Sequence, residues 1–308
     1  MKTAVLFLIF NRLDTTIRVF EAIRQVKPPR LYVAADGPRK DKIGEKEKCE
    51  EVRSIIKKVD WDCEVKTLFR DENLGCGKAV SQAITWFFEQ EEEGIILEDD
   101  VLPHPDFFPY CEELLEYYRN VEQVGFISGR NQLFGESVSE DSYTFISINH
   151  VWGWASWRRT WDKYNYELND STLNQFKKCL VYYYQKACER YYWRWIYCLM
   201  KRHIIDTWDY QLGISLMLNN SLSIIPTTNL IKNIGFGEGA THTINTNKQE
   251  DYVTFASIMP LKHPEKIEQN RLAEQIEIQK EKRIMPLWKY IYMRIWLYIV
   301  DLRSIYKK

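Results

Sequence analysis

The sequence predicts an α/β fold, a doubly wound sheet with helices on its faces. Three observations point there. Short apolar, β-branched runs alternate with segments of helical period through the first hundred residues. Glycine, proline and asparagine punctuate the joins. The fourth apolar run, Gly94–Leu97, ends in three adjacent carboxylates, Glu98, Asp99 and Asp100, before Pro103 and Pro105 stop regular pairing. Ligands of open parallel sheets bind beyond the carboxyl ends of the strands. Acids this crowded repel one another unless a hard divalent cation or a hydrogen-bonding ligand compensates them. A solvated acidic turn is the plainer reading, and the position at a strand end argues against it. Glu89–Glu93, by contrast, reads as a solvated helix end.

In chain order, Ala4–Phe10 reads as a buried strand that Asn11 and Arg12 end. Asp14-Thr15-Thr16 starts a helix whose stripe is Ile17, Phe20, Ile23 and Val26, and Pro28-Pro29 closes it. Leu31–Ala35 is a second strand, followed by the turn Asp36-Gly37-Pro38. Arg39–Lys58 reads as a charged surface helix with Val52, Ile55, Ile56 and Val59 inward. Cys63–Leu68 is a third strand, and Asn73–Lys78 turns into the helix Ala79–Phe88. After the acidic strand come a helix over Phe107–Tyr118, strands at Val124–Ser128 and Tyr143–Ile148, and an aromatic block, His150–Trp161. Leu173–Arg202 and Ile205–Leu218 read as helices and Leu222–Pro226 as a strand. A glycine-rich loop over Gly235–Gly239 leads to His242. The division expected is one domain over 1–258, then a charged linker and a basic amphipathic helix over 259–308.

Composition narrows the class of function. A net charge of −1 provides no global field for nucleic acid, and no zinc-finger or RNA-binding signature is present. Seven cysteines, an odd number without a C-x-x-C pair, argue against a disulfide framework and suit a reducing cytoplasm. The apolar run at the N-terminus is too short for a signal peptide, and no stretch reaches the roughly 18 apolar residues of a spanning helix. The segment Pro286–Tyr306 carries a stripe of Leu287, Trp288, Ile291, Tyr292, Ile295, Trp296, Ile299 and Val300. With Lys289, Arg294 and Arg303 it has the pattern of a helix lying in a membrane interface, or of one docked on the domain or on a partner subunit. The expected location is the cytoplasm, or peripherally on the inner face of the plasma membrane.

Several of these motifs fall in a recognisable order. The strand ending Phe10-Asn11-Arg12, the strand ending Asp36-Gly37, Asn73-Leu74-Gly75 before a helix, Glu98-Asp99-Asp100, Trp152-Gly153-Trp154, Trp208-Asp209, and the loop from Pro226 to Gly235-x-Gly succeed one another through most of residues 3–245. This set resembles the GT-A glycosyltransferases. Within them it is similar to the metal-dependent inverting N-acetylglucosaminyltransferase family of N-glycan processing and its bacterial relatives in surface-polysaccharide synthesis. The resemblance implies a GT-A (Rossmann-like) mixed sheet flanked by helices, with the C-terminal helix as an extension outside the shared pattern. It implies transfer from a UDP-sugar to a glycan or lipid-linked acceptor with Mn2+ or Mg2+.

Residue by residue, the resemblance makes Asp100 the metal ligand, with His242 reaching the metal or the diphosphate. Glu98 would accept from the ribose hydroxyls, and Asp99 would face the sugar or the metal's water shell. Arg12 would lie near the phosphates, where its fixed fork suits such contacts. Asp36 would read the uracil imide N–H. The family's histidine near the base is absent around Asn73–Lys78, and Lys78 would take part of its role. Trp208 and Trp152 or Trp154 would stack on sugar faces, with buried core tryptophans as the alternative. Gly237 belongs to a donor-ordered lid. Asp209 matches the general base that inversion requires, and Asp206 is its rival. A nucleotidyltransferase that makes the sugar nucleotide, and a glycan-binding descendant that has lost activity, are the other readings. The former expects a glycine-rich basic signature after the first strand, where this chain has Phe10-Asn11-Arg12-Leu13.

Overall fold

In a computed structural model the first strand, β1 (Ala4–Ile9), lies at the middle of the sheet and is buried along its whole length. The structure describes residues 1–235, 256–280 and 287–305. Alternate side chains of β1 feed two cores. Val5, Phe7 and Ile9 face one, and Ala4, Leu6 and Leu8 the other. A strand apolar on both faces belongs inside a parallel sheet with helices on either side. The neighbours of β1 are β2 (Arg30–Ala35) and β4 (Glu93–Glu98), both parallel to it, and β3 (Glu64–Phe69) runs parallel beyond β2.

The eight-stranded order is β3-β2-β1-β4-β8-β6-β9-β7. Its second half uses β6 (Val124–Ser128), β7 (Tyr143–Ile146), β8 (Trp154–Trp157) and β9 (Leu222–Pro226). There β8 pairs antiparallel to both β4 and β6, and β7 antiparallel to β9. The sheet is therefore mixed and flanked by helices, as expected. A two-stranded ribbon of β5 (Val101–Pro103) and β10 (Ile231–Asn233) crosses the carboxyl end of β4 and holds Gly235 near the acids.

One core packs α1 (Leu13–Val26) and α4 (Phe107–Tyr118) on the sheet, through residues such as Val19, Phe20, Phe107 and Leu114. The opposite core packs α3 (Gly75–Phe88) with a group of tryptophans, Trp154, Trp161 and Trp208. Full burial of each such side chain contributes roughly 1.5–3 kcal/mol. A third core joins α6 (Asp170–Tyr183), α7 (Ala187–Lys201) and α8 (Asp209–Leu218).

Several expectations are corrected. The charged helix after Asp36 is shorter, α2 (Glu45–Arg53), and a 3-10 turn carries Ile55 into the core. Glu91 is not solvated. It is buried and accepts from Arg30 Nε at 2.6 Å and the Tyr32 hydroxyl at 2.8 Å, so it ties two strand residues to the end of α3. The helical span 173–202 breaks at Tyr184, which leaves the helix in extended geometry to pack on Trp193. Arg190 Nη1 donates at 2.8 Å to the carbonyls of both Tyr184 and Gln185 and satisfies the break. Helix α8 starts at Asp209, four residues after the expected start, and Asp206 lies outside it.

The expected linker also differs over its described part. Helix α9 (Arg271–Lys280) docks on the sheet edge, with Ala273, Glu274 and Glu277 buried. Glu274 accepts from the Ser147 hydroxyl at 2.7 Å, and Glu277 from His150 Nε2 at 3.0 Å. Polar composition concealed this, because two of the helix's buried residues are carboxylates hydrogen-bonded to the core, beside Ala273 and the partly buried Ile276 and Ile278. The C-terminal helix is present as α10 (Leu287–Ile305) and packs on α7.

Candidate active site

The parallel strands β3, β2, β1 and β4 end level, with Phe69 beside Ala35, Ala35 beside Ile9, and Leu8 beside Glu98. The residues just beyond these ends therefore meet at one edge. They are Arg70, Asp36, Arg12 and the acidic triplet, and they line a cavity of about 390 Å³. The sheet's register thus gathers side chains that lie far apart in sequence.

Arg12 stands at the N-terminus of α1 and joins the two aspartates. One of its terminal nitrogens donates to Asp99 Oδ1 at 2.9 Å and Asp100 Oδ2 at 2.8 Å. Asp99 is buried and also accepts from the Phe10 backbone N–H at 3.3 Å. Burial pushes its carboxyl up to about 6, against the pull of Arg12 and with a further push from Asp100. Glu98, at the end of β4, is raised as well, first by burial and then by the charges of Asp100, Asp99 and Asp209. The cavity as a whole is lined by five carboxylates, Asp36, Glu98, Asp99, Asp100 and Asp206, against three guanidinium groups, Arg12, Arg39 and Arg70. Gly235 closes over the pair. A Cβ there would collide with Asp100 Oδ2 and lie 2.7 Å from an Arg12 nitrogen.

On the other side of the cavity Asp36 holds the start of α3. Its oxygens accept from the backbone N–H groups of Gly37 at 2.9 Å, Leu74 at 3.0 Å and Gly75 at 3.2 Å. Burial nevertheless raises its carboxyl. Asp206 accepts from the Gly77 N–H at 2.9 Å and so occupies the same helix terminus. Gly75, at φ +82°, lets the chain turn there, and a Cβ on it would meet Asp206 at 2.5 Å. Asp206 is thereby placed as a capping carboxylate that lines this cavity.

Asp209 belongs to a second cavity of about 220 Å³, lined also by Arg130, His150, Tyr192, Trp193 and Tyr210. Its Oδ1 accepts from its own helix at the Tyr210 N–H, 2.9 Å away, and from the Thr207 hydroxyl. Trp152 lines both cavities. Its ring lies under the Arg130 guanidinium, with the guanidinium carbon 4.1 Å from the ring centroid.

Arg12, Asp36, Glu98, Asp99 and Asp100 are therefore brought together, and Asp209 stands next to them across Trp152. Three expected donor contacts are not found there. Lys78 is exposed and does not line the cavity, because the inward positions of α3 are Cys76, Ala79, Val80 and Ala83. Trp154 is 1% exposed and stacks on Phe126 and Trp208, since the alternation of β8 turns it into the core. Trp208 is buried in the same group. Gly237 and His242 lie outside the described residues.

Arg39, Arg70 and Asn233 also line the cavity of Arg12 and the acidic triplet. Arg70 could have been found from sequence, since it follows a strand end as Asp36 does. Arg39 could not, because its place depends on its pairing with Glu45.

Asp100, with Asp99 beside it, offers the hard oxygen donors that Mg2+ or Mn2+ prefers, in a cavity with surplus negative charge. Mg2+ in phosphate-transfer sites commonly needs only one or two protein carboxylates, with the substrate's phosphates completing its shell. Among the described residues no group of three or more His, Cys, Asp and Glu side chains is disposed to hold a metal alone.

The chain matches no protein-family model and no curated protein. Solved structures that align with this chain include glycosyltransferases and nucleotidyltransferases. A mannosyltransferase from Pyrobaculum calidifontis in complex with GDP-Man and Mn2+ is 12% identical, with 70% of each chain covered and a TM-score of 0.39. GalNAc-T7 with UDP, GalNAc and Mn2+ is 10% identical over 74% of this chain and 43% of that one, at a TM-score of 0.41. A UDP-glucose pyrophosphorylase complexed with UDP-glucose is 9% identical over 53% of this chain and 79% of that one, at 0.32. All these TM-scores lie below 0.5, so the functional reading rests on the residues of the site themselves.

Proposed function

We propose that this chain is an inverting glycosyltransferase that moves a sugar from a UDP-sugar to a hydroxyl of a glycan or lipid-linked acceptor. The observation that carries the reading is the pair of cavities sharing Trp152. One is rimmed by Arg12, Asp36 and the acidic triplet, and the other holds Asp209. Inversion needs the donor on one side of the reacting carbon and a single base on the other. Two adjoining cavities with those contents supply that division.

In this reading the diphosphate lies against Arg12 and Asp100, and Mn2+ or Mg2+ held there would offset the charge that develops as the diphosphate leaves. Asp36 shares the Leu74 N–H between its two oxygens, beside the Gly37 and Gly75 N–H groups, and a base N–H would take the place of one of those two Leu74 contacts. Glu98 takes the ribose hydroxyls, and its raised affinity for protons falls once positive charge enters the cavity. Asp209 takes the proton from the acceptor hydroxyl as that oxygen attacks the anomeric carbon. Its Oδ1 is held by Thr207 and the Tyr210 N–H. Trp152 presents an aromatic face between the two substrates, as sugar rings favour.

Titration with UDP, with and without Mn2+, tests this. The expected result is metal-dependent binding that Asp100→Ala abolishes while the fold is retained. Absence of UDP binding in both conditions would overturn the proposal, and consumption of UTP with a sugar phosphate and release of pyrophosphate would instead mark a nucleotidyltransferase.

A further inference from the structure

Helix α10 carries apolar side chains on two faces. Toward the body of the protein, Met293 and Leu297 are 2% exposed. On the same side Tyr290 meets the Tyr191 ring of α7 edge-on at 5.7 Å, and Arg202 lies 5.0 Å from the Trp296 ring. The outer face consists of Trp288, Ile291, Tyr292, Ile295 and Tyr298, with exposures of 65%, 49%, 58%, 55% and 66%. Their spacing keeps to one side of a helix, so they form a continuous stripe and not scattered surface residues.

The charge around this stripe differs from that of the rest of the chain. The protein carries a net charge of −1, yet residues 286–308 hold five bases, Lys289, Arg294, Arg303, Lys307 and Lys308, against the single acid Asp301. The supporting helix and the residue after it add Arg190, Arg194, Lys201 and Arg202 against the single acid Glu189. Along the sequence, positive charge is therefore concentrated in and just after the helix that carries the aromatic stripe and in the helix it packs on.

We propose that this face docks the protein peripherally on an anionic lipid surface. Tryptophan and tyrosine suit the boundary between headgroups and acyl chains, where the ring is apolar and the N–H or O–H stays wet. Lysine and arginine lay their stems along the same boundary and reach acidic headgroups. No described helix is long and apolar enough to cross a membrane, so α10 lies along the surface. A second copy of this chain is the less suitable occupant. A two-fold contact through α10 would set the same basic residues against each other.

The location has a further consequence, which rests on the transferase reading. Helix α7 carries α10 and also contributes Tyr192 and Trp193 to the cavity of Asp209. Docking would therefore place the base's cavity one helix away from the membrane surface, and an acceptor attached to lipid would be presented there.

The test uses the full chain and sedimentation with vesicles, of phosphatidylcholine alone or of phosphatidylcholine mixed equally with phosphatidylglycerol. The wild-type chain is expected to bind the anionic mixture and to be released as salt rises. Ile291→Ser with Tyr298→Ser should weaken binding at least about tenfold. Both side chains are exposed, so the thermal unfolding midpoint should stay unchanged. Sedimentation with neither vesicle, or binding to both alike without salt dependence, would overturn the proposal. So would a doubly substituted chain that binds as before, or a wild-type dimer that the substitutions turn into a monomer without affecting lipid binding. Every one of these readouts is independent of sugar transfer, so the docking and the activity can fail separately.

Discussion

Arg12 is the residue on which the donor-side cavity depends. It answers Asp99 and Asp100 with one nitrogen and donates from the other to the Gly235 carbonyl at 3.3 Å. Removing it would leave buried like charges unbalanced, and Arg12→Ala is expected to lower stability by about 1–3 kcal/mol at neutral pH, with partial recovery on acidification. Unfolding in urea at two pH values measures this. The tryptophans separate in the same way by environment. Trp154 is a core residue, and Trp154→Ala should cost about 3–5 kcal/mol. Trp152 is half-buried between two cavities, and Trp152→Ala should cost no more than about 2 kcal/mol while transfer falls sharply. Equal losses of stability in the two variants would contradict this assignment. From sequence the two are adjacent members of one aromatic block. Only the alternation of β8 and the bend before it decide which one faces the substrates.

At the scale of elements, the strand ends explain how much of the site was legible. Apolar runs and the residues at their ends can be read directly, and that rule located Glu98, Asp99 and Asp100, while Arg12 and Asp36 came from the ordered motifs that resemble the glycosyltransferases. The strand-end rule applies equally to Arg70, after β3. What could not be read is side-chain direction on a helix whose start is uncertain by a few residues. Lys78 lies within α3 because the helix begins at Gly75, and at that phase it points to solvent. Helix α9 escaped notice for a different reason. Its buried face includes Glu274 and Glu277 beside Ala273, and sequence reading assigns such carboxylates to solvent. Burial raises the Glu274 carboxyl above its ordinary 4.5, against the hydrogen bonds from Ser147 and Gln269. The folded chain therefore holds this proton to higher pH than the unfolded chain does. The stability linked to it is full below 4.5 and is lost as pH rises through the raised value. Glu274→Gln should flatten the fall in stability that sets in as pH rises above 4.5. A profile with an unchanged slope would show that Glu274 is not its source.

Across the whole molecule, each layer has a separate task. The parallel half of the sheet gathers the donor-side charges at one edge. The antiparallel half and α8 bring Asp209 and Trp152 to the adjoining cavity, and α7 links that cavity to the basic, aromatic helix α10. The alternating runs made the first layer plain from sequence. The second depends on β8 (Trp154–Trp157) inserting between β4 (Glu93–Glu98) and β6 (Val124–Ser128), pairings between distant segments that no local signal specifies. The central claim is that donor binding and proton removal reside in separate cavities. It is tested most directly by titrating UDP with Mn2+ into Asp209→Asn while following transfer from a panel of UDP-sugars. The account predicts UDP affinity equal to wild type and transfer reduced about 10²–10⁴-fold. Normal transfer, or loss of UDP binding in step with transfer, would contradict it.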